Sequence, residues 1–182
     1  AIAAFDSAIA LEPNFSIAYY NRGLAYEGLG KPKKALADFD SAVEKDQSLT
    51  NAYFSRALTK KELGDNEGAI ADYSKVIQLD ENYTDAFFSR GFAKKMLGDY
   101  RGALNDYNMA IDLDDSDTIL FNNRGNMHMM FGDYDAAIDD YTRALQLDPQ
   151  YAAAYHNRGM AYIVNYSRSF GCADLLRAST MG

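Results

Sequence analysis

The sequence specifies an all-α protein built as a solenoid of antiparallel helix pairs, and three observations lead there. Set against itself at an offset of 34 residues, the chain aligns Ala1, Ala35, Ala69, Ala103 and Ala137, and equally Gly30, Gly64, Gly98 and Gly132. Within each such stretch apolar residues fall at helical spacing twice, once before the glycine and once after it, which marks two helices joined by a tight turn. Neither helix can bury its apolar face alone, so each pair must pack on its neighbours and the 182 residues share no single core.

Residues 1–15 read as only the second helix of a repeat, with Ile2, Phe5 and Ile9 on one face and Leu11-Glu12-Pro13 closing it. Full repeats are expected at residues 16–49, 50–83, 84–117 and 118–151. Each opens with a hydroxyl residue, Ser16, Thr50, Thr84 or Thr118, expected as the N-cap whose oxygen accepts from first-turn N–H groups. Gly30, Gly64, Gly98 and Gly132 end the first helices at a left-handed position, where the missing Cβ removes the steric penalty. Asp65, Asp99 and Asp133 are then placed to cap the second helices; Lys31-Pro32 takes that place in the first full repeat, with Pro32 in the first turn.

Residues 152–182 form a degenerate last repeat. AAAYHNRGMAYI keeps the register, but Asn165-Tyr166-Ser167-Arg168 replaces the usual turn, so the turn is rebuilt or the first helix runs on. Gly171 and Cys172 then stand where alanine and isoleucine are usual, before Asp174, Arg177 and Ala178 return to register. Terminal repeats are expected to be atypical because one side faces water. Either this last helix caps the array, or a longer protein continues it; the start in mid-repeat without Met likewise suggests sequence upstream.

These residues resemble the tetratricopeptide repeat family. An aromatic opens each first helix (Tyr19, Tyr53, Phe87, Phe121, Tyr155), and a small residue follows four positions on (Gly23, Ala57, Gly91, Gly125, Gly159). After the turn glycine come the register alanines, an aromatic (Phe39, Tyr73, Tyr107, Tyr141) and a small apolar residue (Ala42, Val76, Ala110, Ala144). Only Pro13 and Pro149 keep the family's closing proline; Gln47, Glu81 and Asp115 replace it. The resemblance spans essentially the whole chain. It implies a right-handed superhelix whose first helices line a concave groove and whose second helices form the outer surface.

One internal pattern departs from the family, which more often has leucine at the position of Arg22, Arg56, Arg90, Arg124 and Arg158. Second helices carry Asp38, Asp72, Asp106, Asp140 and Asp174 in equal register. Pairing each aspartate with the arginine of the next repeat would strand Arg22, because the leading half-repeat has Ala4 there; pairing within a repeat strands none. The expected bonds therefore run from Arg22 to Asp38, Arg56 to Asp72, Arg90 to Asp106, Arg124 to Asp140 and Arg158 to Asp174. Solvated charge at both positions is the plain alternative, and a ladder of ligand-binding arginines a third.

Composition narrows the function class. Eighteen basic against 26 acidic residues, with a pI near 4.7, argue against a nucleic-acid partner, which would favour a basic stripe. No apolar run approaches the roughly 20 residues needed to span a bilayer, and no charged-then-apolar leader is present. The single cysteine, Cys172, precludes an internal disulfide and favours a reducing, cytoplasmic setting. Asn14, Asn82 and Asn165 begin glycosylation-type triplets short enough to arise by chance.

No enzyme chemistry stands out, and neither cofactor nor metal is expected. His128 and His156 have no second ligand at zinc spacing, and His128 shares its position with Tyr26 and Tyr162, which suits packing. The AYEGLGKP run at residues 25–32 lacks the first glycine and the hydroxyl of a phosphate loop. Asp112, Asp114, Asp115 and Asp117 lack the loop glycine and terminal glutamate of an EF-hand, and read as a solvated helix end.

The resemblance leaves a protein-interaction scaffold as the expected function, with a peptide segment of a partner in the groove. Groove positions implied by it are Tyr20, Leu24 and Glu27; Phe54, Leu58 and Lys61; Phe88, Phe92 and Lys95; Asn122, Asn126 and Met129; and His156, Met160 and Ile163. Of these, Tyr20, Leu24, Phe54, Leu58, Phe88 and Phe92 are the candidate apolar ladder, Lys61 and Lys95 candidate partners for a flanking carboxylate, and Asn122 and Asn126 candidate donors to a ligand backbone. The same rings could instead simply pack between helices. Family members that clamp an EEVD-type tail use a lysine and two asparagines, then a lysine and an arginine. Here Tyr20, Leu24, Ser55, Asp85 and Ser89 stand at those places, so such a tail is not the expected ligand. The alternative function is a structural spacer or a rod assembling end to end through the bare Ile2, Phe5 and Ile9.

Overall fold

The computed structural model describes residues 1–165 and 167–181, and among them the regular elements are helices throughout. In chain order these are α1 (Ile2–Leu11), α2 (Ser16–Glu27), α3 (Pro32–Lys45), α4 (Thr50–Glu62), α5 (Asn66–Leu79), α6 (Thr84–Met96), α7 (Tyr100–Leu113), α8 (Thr118–Phe131), α9 (Tyr134–Leu147), α10 (Ala152–Val164) and α11 (Arg168–Ser179). They fall into two compact units, Ala1–Asp99 with α1 to α6 and Tyr100–Gly182 with α7 to α11.

In the first unit α2 packs on α3 and α4 on α5, while α1 lies against α2, α3 against α4 and α5 against α6. In the second, α8 packs on α9 and α10 on α11, with α7 against α8 and α9 against α10. Small residues make these approaches possible. Ala35, Ala69 and Ala137 are fully buried, as are Phe39 and Tyr73 of the same second helices. A Cβ added at Gly23 would stand 2.6 Å from Cε1 of Phe39, so the ring of α3 lies directly on the backbone of α2.

The turns within pairs follow the sequence reading. Gly30, Gly64, Gly98 and Gly132 have φ of 64°, 87°, 82° and 77°. Asp65 and Asp133 accept from the N–H groups of Gly68 and Ala136, and Pro32 sits in the first turn of α3 after Lys31. The last turn is rebuilt without lengthening the helix. Ser167 N–H donates to the carbonyl of Tyr162 at 2.8 Å, just as Lys31, Asp65 and Asp133 donate to Tyr26, Lys60 and His128 at 2.9, 2.9 and 3.0 Å. Tyr166 lies outside the described residues.

The turns between pairs correct one expectation. Ser16, Thr50, Thr84 and Thr118 are the first helical residues, and the caps before them are Phe15, Leu49, Tyr83 and Asp117. Only Asp117 caps with its side chain, accepting from Ile119 N–H at 2.7 Å. The ordering element lies upstream, where Asp46, Asp80, Asp114 and Asp148 each accept from the N–H two residues on, at 2.8 to 3.0 Å. Such Asx turns fix the chain direction before the helix starts, which relieves Thr50, Thr84 and Thr118 of the capping role; the fourth precedes Ala152. Two bonds from Ser116 to Asp114 also hold that carboxyl below the usual range.

Candidate functional site

The arginine at the centre of each first helix is packed against a ring and hydrogen-bonded to a neighbouring helix. Its guanidinium lies over the ring three residues earlier, with Arg22, Arg56, Arg90, Arg124 and Arg158 at 5.3 to 5.6 Å from Tyr19, Tyr53, Phe87, Phe121 and Tyr155. Two nitrogens then grip the aspartate sixteen residues on: Arg22 to Asp38 at 2.8 and 2.6 Å, and Arg56 to Asp72 at 2.8 and 2.5 Å. Arg124 holds Asp140 at 2.9 and 2.6 Å, and Arg158 holds Asp174 at 2.7 and 3.0 Å. These four pairs run within helix pairs, as the stranding argument required. The fifth, Arg90 to Asp106, falls on residues of different units.

The third contact was missed in the sequence. Nη1 reaches back sixteen residues to the preceding second helix, from Arg22 to Asp6 at 2.7 Å, Arg56 to Asp40 at 2.9 Å and Arg90 to Ser74 at 3.1 Å. In the second unit it reaches from Arg124 to Asn108 at 3.1 Å and from Arg158 to Thr142 at 3.0 Å. The acceptors repeat every 34 residues but change chemical type, so comparison by residue identity passes over them. What they share is an oxygen able to accept. In Arg22, Arg56, Arg124 and Arg158 all three guanidinium nitrogens thus have an acceptor, so each of these side chains joins three helices. Hydrogen bonding to Asp38 raises the pKa of Arg22 well above its ordinary value, and bonding to Asp174 raises that of Arg158.

The candidate ladder lies on α2, α4 and α6 of the first unit. Tyr20, Phe54, Leu58, Phe88 and Phe92 are half-buried, and Leu24 is 37% exposed. The inner edges of these rings rest on the core: Tyr20 lies 6.0 Å from Phe39, and Phe54 lies 5.7 Å from Tyr73 and 5.0 Å from Tyr83, centroid to centroid. Adjacent first helices also touch through polar groups, since Thr59 donates to Glu27 Oε1 at 2.8 Å. The Lys95 ammonium stands 4.6 Å from the Phe92 centroid and the Lys61 ammonium 5.6 Å. Burial lowers the pKa of Lys95.

In the second unit the corresponding places are amides. Asn122 is buried, and its Oδ1 accepts from Nδ2 of Asn157 at 2.9 Å. Asn126 Oδ1 accepts from the same Nδ2 at 3.2 Å and from the Tyr141 hydroxyl at 2.8 Å. Both amide oxygens are thus engaged internally. His128 is half-buried: Nδ1 stands 3.8 Å from Asp133 and Nε2 3.8 Å from Asp140, and it borders a cleft of about 580 Å³ with Arg101, Asn105 and Phe131. Lys60, at the same register position in the first unit, pairs with Asp72 at 2.8 Å. Among the described residues no cluster of three or more candidate ligands could hold a metal ion, and no helix is long and apolar enough to cross a membrane.

Comparison with known proteins follows the helix pairs. The tetratricopeptide repeat profile matches residues 16–49 and 119–151, and a further TPR repeat profile matches 60–98. No curated protein matches in sequence. Among solved structures, YrrB, a TPR protein with an unusual peptide-binding site, superposes with a TM-score of 0.88 at 24% identity, over 100% of this chain and 93% of its own. MamA superposes with a TM-score of 0.84 at 21% identity, over 87% of this chain and 93% of its own. MamA from Desulfovibrio magneticus RS-1, residue 41 to its end, gives 0.86 at 16%, over 91% and 94%. At such identities the likeness is one of fold.

Proposed function

The chain belongs to the tetratricopeptide repeat family, and from that premise we propose that it is a scaffold holding a peptide segment of a partner protein against α2, α4 and α6. The observation that carries this reading is the row Tyr20, Phe54, Leu58, Phe88 and Phe92, all half-buried, with the exposed Leu24, of which the Tyr20 and Phe54 rings rest on core aromatics. Anchored rings lose little freedom when a ligand covers them, which is what makes aromatics effective interface residues. Lys61 and Lys95 flank the row. In the second unit the oxygens of Asn122 and Asn126 are taken by Asn157 and Tyr141, and Asn122 is buried, so this reading rests on the first unit alone.

An EEVD-type tail is not the ligand of this reading, because Tyr20, Leu24, Ser55, Asp85 and Ser89 lack the amide and cationic groups that a terminal carboxylate clamp needs. No catalytic role is proposed. The test is quantitative affinity capture with the unaltered chain, with Phe88→Ala and with Asp112→Ala on the exposed end of α7. Loss of the same partners from Phe88→Ala alone supports the groove; equal retention by both variants removes it.

A second reading, a rod assembling end to end, draws on one observation: α1 buries no residue, and Ile2, Phe5 and Ile9 are only partly covered. Sedimentation across a concentration series separates the two. A chain that remains monomeric throughout is no rod.

A further inference from the structure

We infer that the segment captured by α2, α4 and α6 carries an acidic side chain, which lies between Lys61 and Lys95 across the Phe92 ring. This rests on the groove reading and specifies its partner. Two ammonium groups from the last turns of α4 and α6 converge on one aromatic ring, at 5.6 and 4.6 Å from its centroid. The ring attracts each of them, but two like charges gathered about one ring also repel, more strongly because both side chains are half-buried. An acid placed between them turns that repulsion into two attractions.

The protein's own acids do not fill the place. Among the described residues no carboxylate lies within ion-pair distance of Lys61 or Lys95, although the chain holds 26 acids against 18 basic residues. One residue away, Lys60 pairs with Asp72 at 2.8 Å. Glu27, at the register position of Lys61 and Lys95 on α2, is held by Thr59. The cationic spot is therefore local, set in an otherwise acidic molecule, and complementary to an acidic residue beside apolar ones. A side-chain carboxylate fits better than a chain end. The neighbouring ladder positions are Leu58, Phe88 and Phe92, which continue as apolar contacts and offer no N–H donors for a terminal carboxylate.

The experiment uses a random-peptide phage library as the probe, selected against the full chain. Selected peptides are remade and measured on the full chain, on Lys61→Gln/Lys95→Gln and on Phe88→Ala, with circular dichroism confirming that each variant is folded. The expected result is enrichment of Asp or Glu next to an aromatic or leucine. Affinity then falls about tenfold or more when both lysines become glutamine, or when the peptide's acid becomes its amide. Peptides without acidic enrichment, or indifferent to the lysine change yet lost with Phe88→Ala, overturn this inference and leave the groove standing. Peptides indifferent to Phe88→Ala overturn the groove itself, and a selection that yields no binder counts against both.

Discussion

Gly171 of α11 faces Gly159 of α10 so closely that a Cβ on Gly171 would stand 2.7 Å from the Gly159 carbonyl oxygen and 2.6 Å from Cγ1 of Ile163. A Cβ on Gly159 would in turn meet the Gly171 carbonyl at 3.0 Å. Ala35, Ala69, Ala103 and Ala137 occupy the register of Gly171 in the other second helices. Restoring that common residue usually stabilises a repeat and improves helix propensity. Here the obstacle is backbone, which cannot step aside, so Gly171→Ala should cost about 1–3 kcal/mol. A higher urea midpoint for the alanine variant would sink this account of the last pair.

Asp140 is 5% exposed and depends on Arg124 for its two hydrogen bonds. Arg124→Met leaves that carboxylate buried with only His128 Nε2, 3.8 Å away, beside it, and should cost about 3 kcal/mol. Asn108→Ala removes only the third, neutral contact and should cost about 1 kcal/mol. Arg56→Met should be milder than Arg124→Met, because Lys60 continues to hold Asp72. Urea unfolding of the three variants checks the order; equal losses would deny Asp140 its dependence on one arginine.

Phe88→Ala should weaken peptide binding by about 2 kcal/mol, with almost no effect from Asp112→Ala. Phe54→Ala should weaken binding comparably, and because its ring rests on Tyr73 and Tyr83 the unfolding midpoint is to be read beside the affinity for both variants. Titration calorimetry with a selected peptide, beside thermal unfolding, separates the two effects. Unchanged affinity in both phenylalanine variants contradicts the proposed contact.

Burial pushes the pKa of Tyr73 up to about 12, and raises those of Tyr107 and Tyr141 beyond the ordinary range. Unfolded tyrosines titrate near pH 10, so above that pH the folded chain keeps protons that the unfolded chain has lost. The stabilising contribution is complete below about pH 10 and declines as pH rises through the folded values, by up to roughly 1.4 kcal/mol per pH unit for each group. Tyr73→Phe, which copies Phe39 of the first full pair, should flatten part of that decline. Urea midpoints from pH 8 to 11 provide the measurement, and a pH-independent midpoint contradicts it.

The helix pairs, the left-handed glycines and the within-pair bonds from Arg22, Arg56, Arg124 and Arg158 were legible because each recurs at the same place with the same residue. The Nη1 acceptors were not, since Asp, Ser, Asn and Thr share a function without sharing an identity. The hydroxyls at Ser16, Thr50, Thr84 and Thr118 misled for the opposite reason: they recur faithfully, but before Thr50, Thr84 and Thr118 the turn is already set by Asp46, Asp80 and Asp114. The groove positions of the first unit could be named from the register. That the oxygens of Asn122 and Asn126 are consumed by Asn157 and Tyr141 depends on neighbours brought together by stacking, which no single helix reveals.

The acceptors behind the arginines also give the molecule a direction. Arg22 and Arg56 reach exposed carboxylates, Asp6 and Asp40, whereas Arg90, Arg124 and Arg158 reach the uncharged Ser74, Asn108 and Thr142. Salt weakens exposed ion pairs and leaves neutral hydrogen bonds nearly untouched. Because a repeat array frays from its ends, raising ionic strength should speed amide exchange in α1 and α2 before it does so in α10 and α11. The amino-terminal joints are thus tuned by the surrounding electrolyte, and the carboxy-terminal ones are indifferent to it.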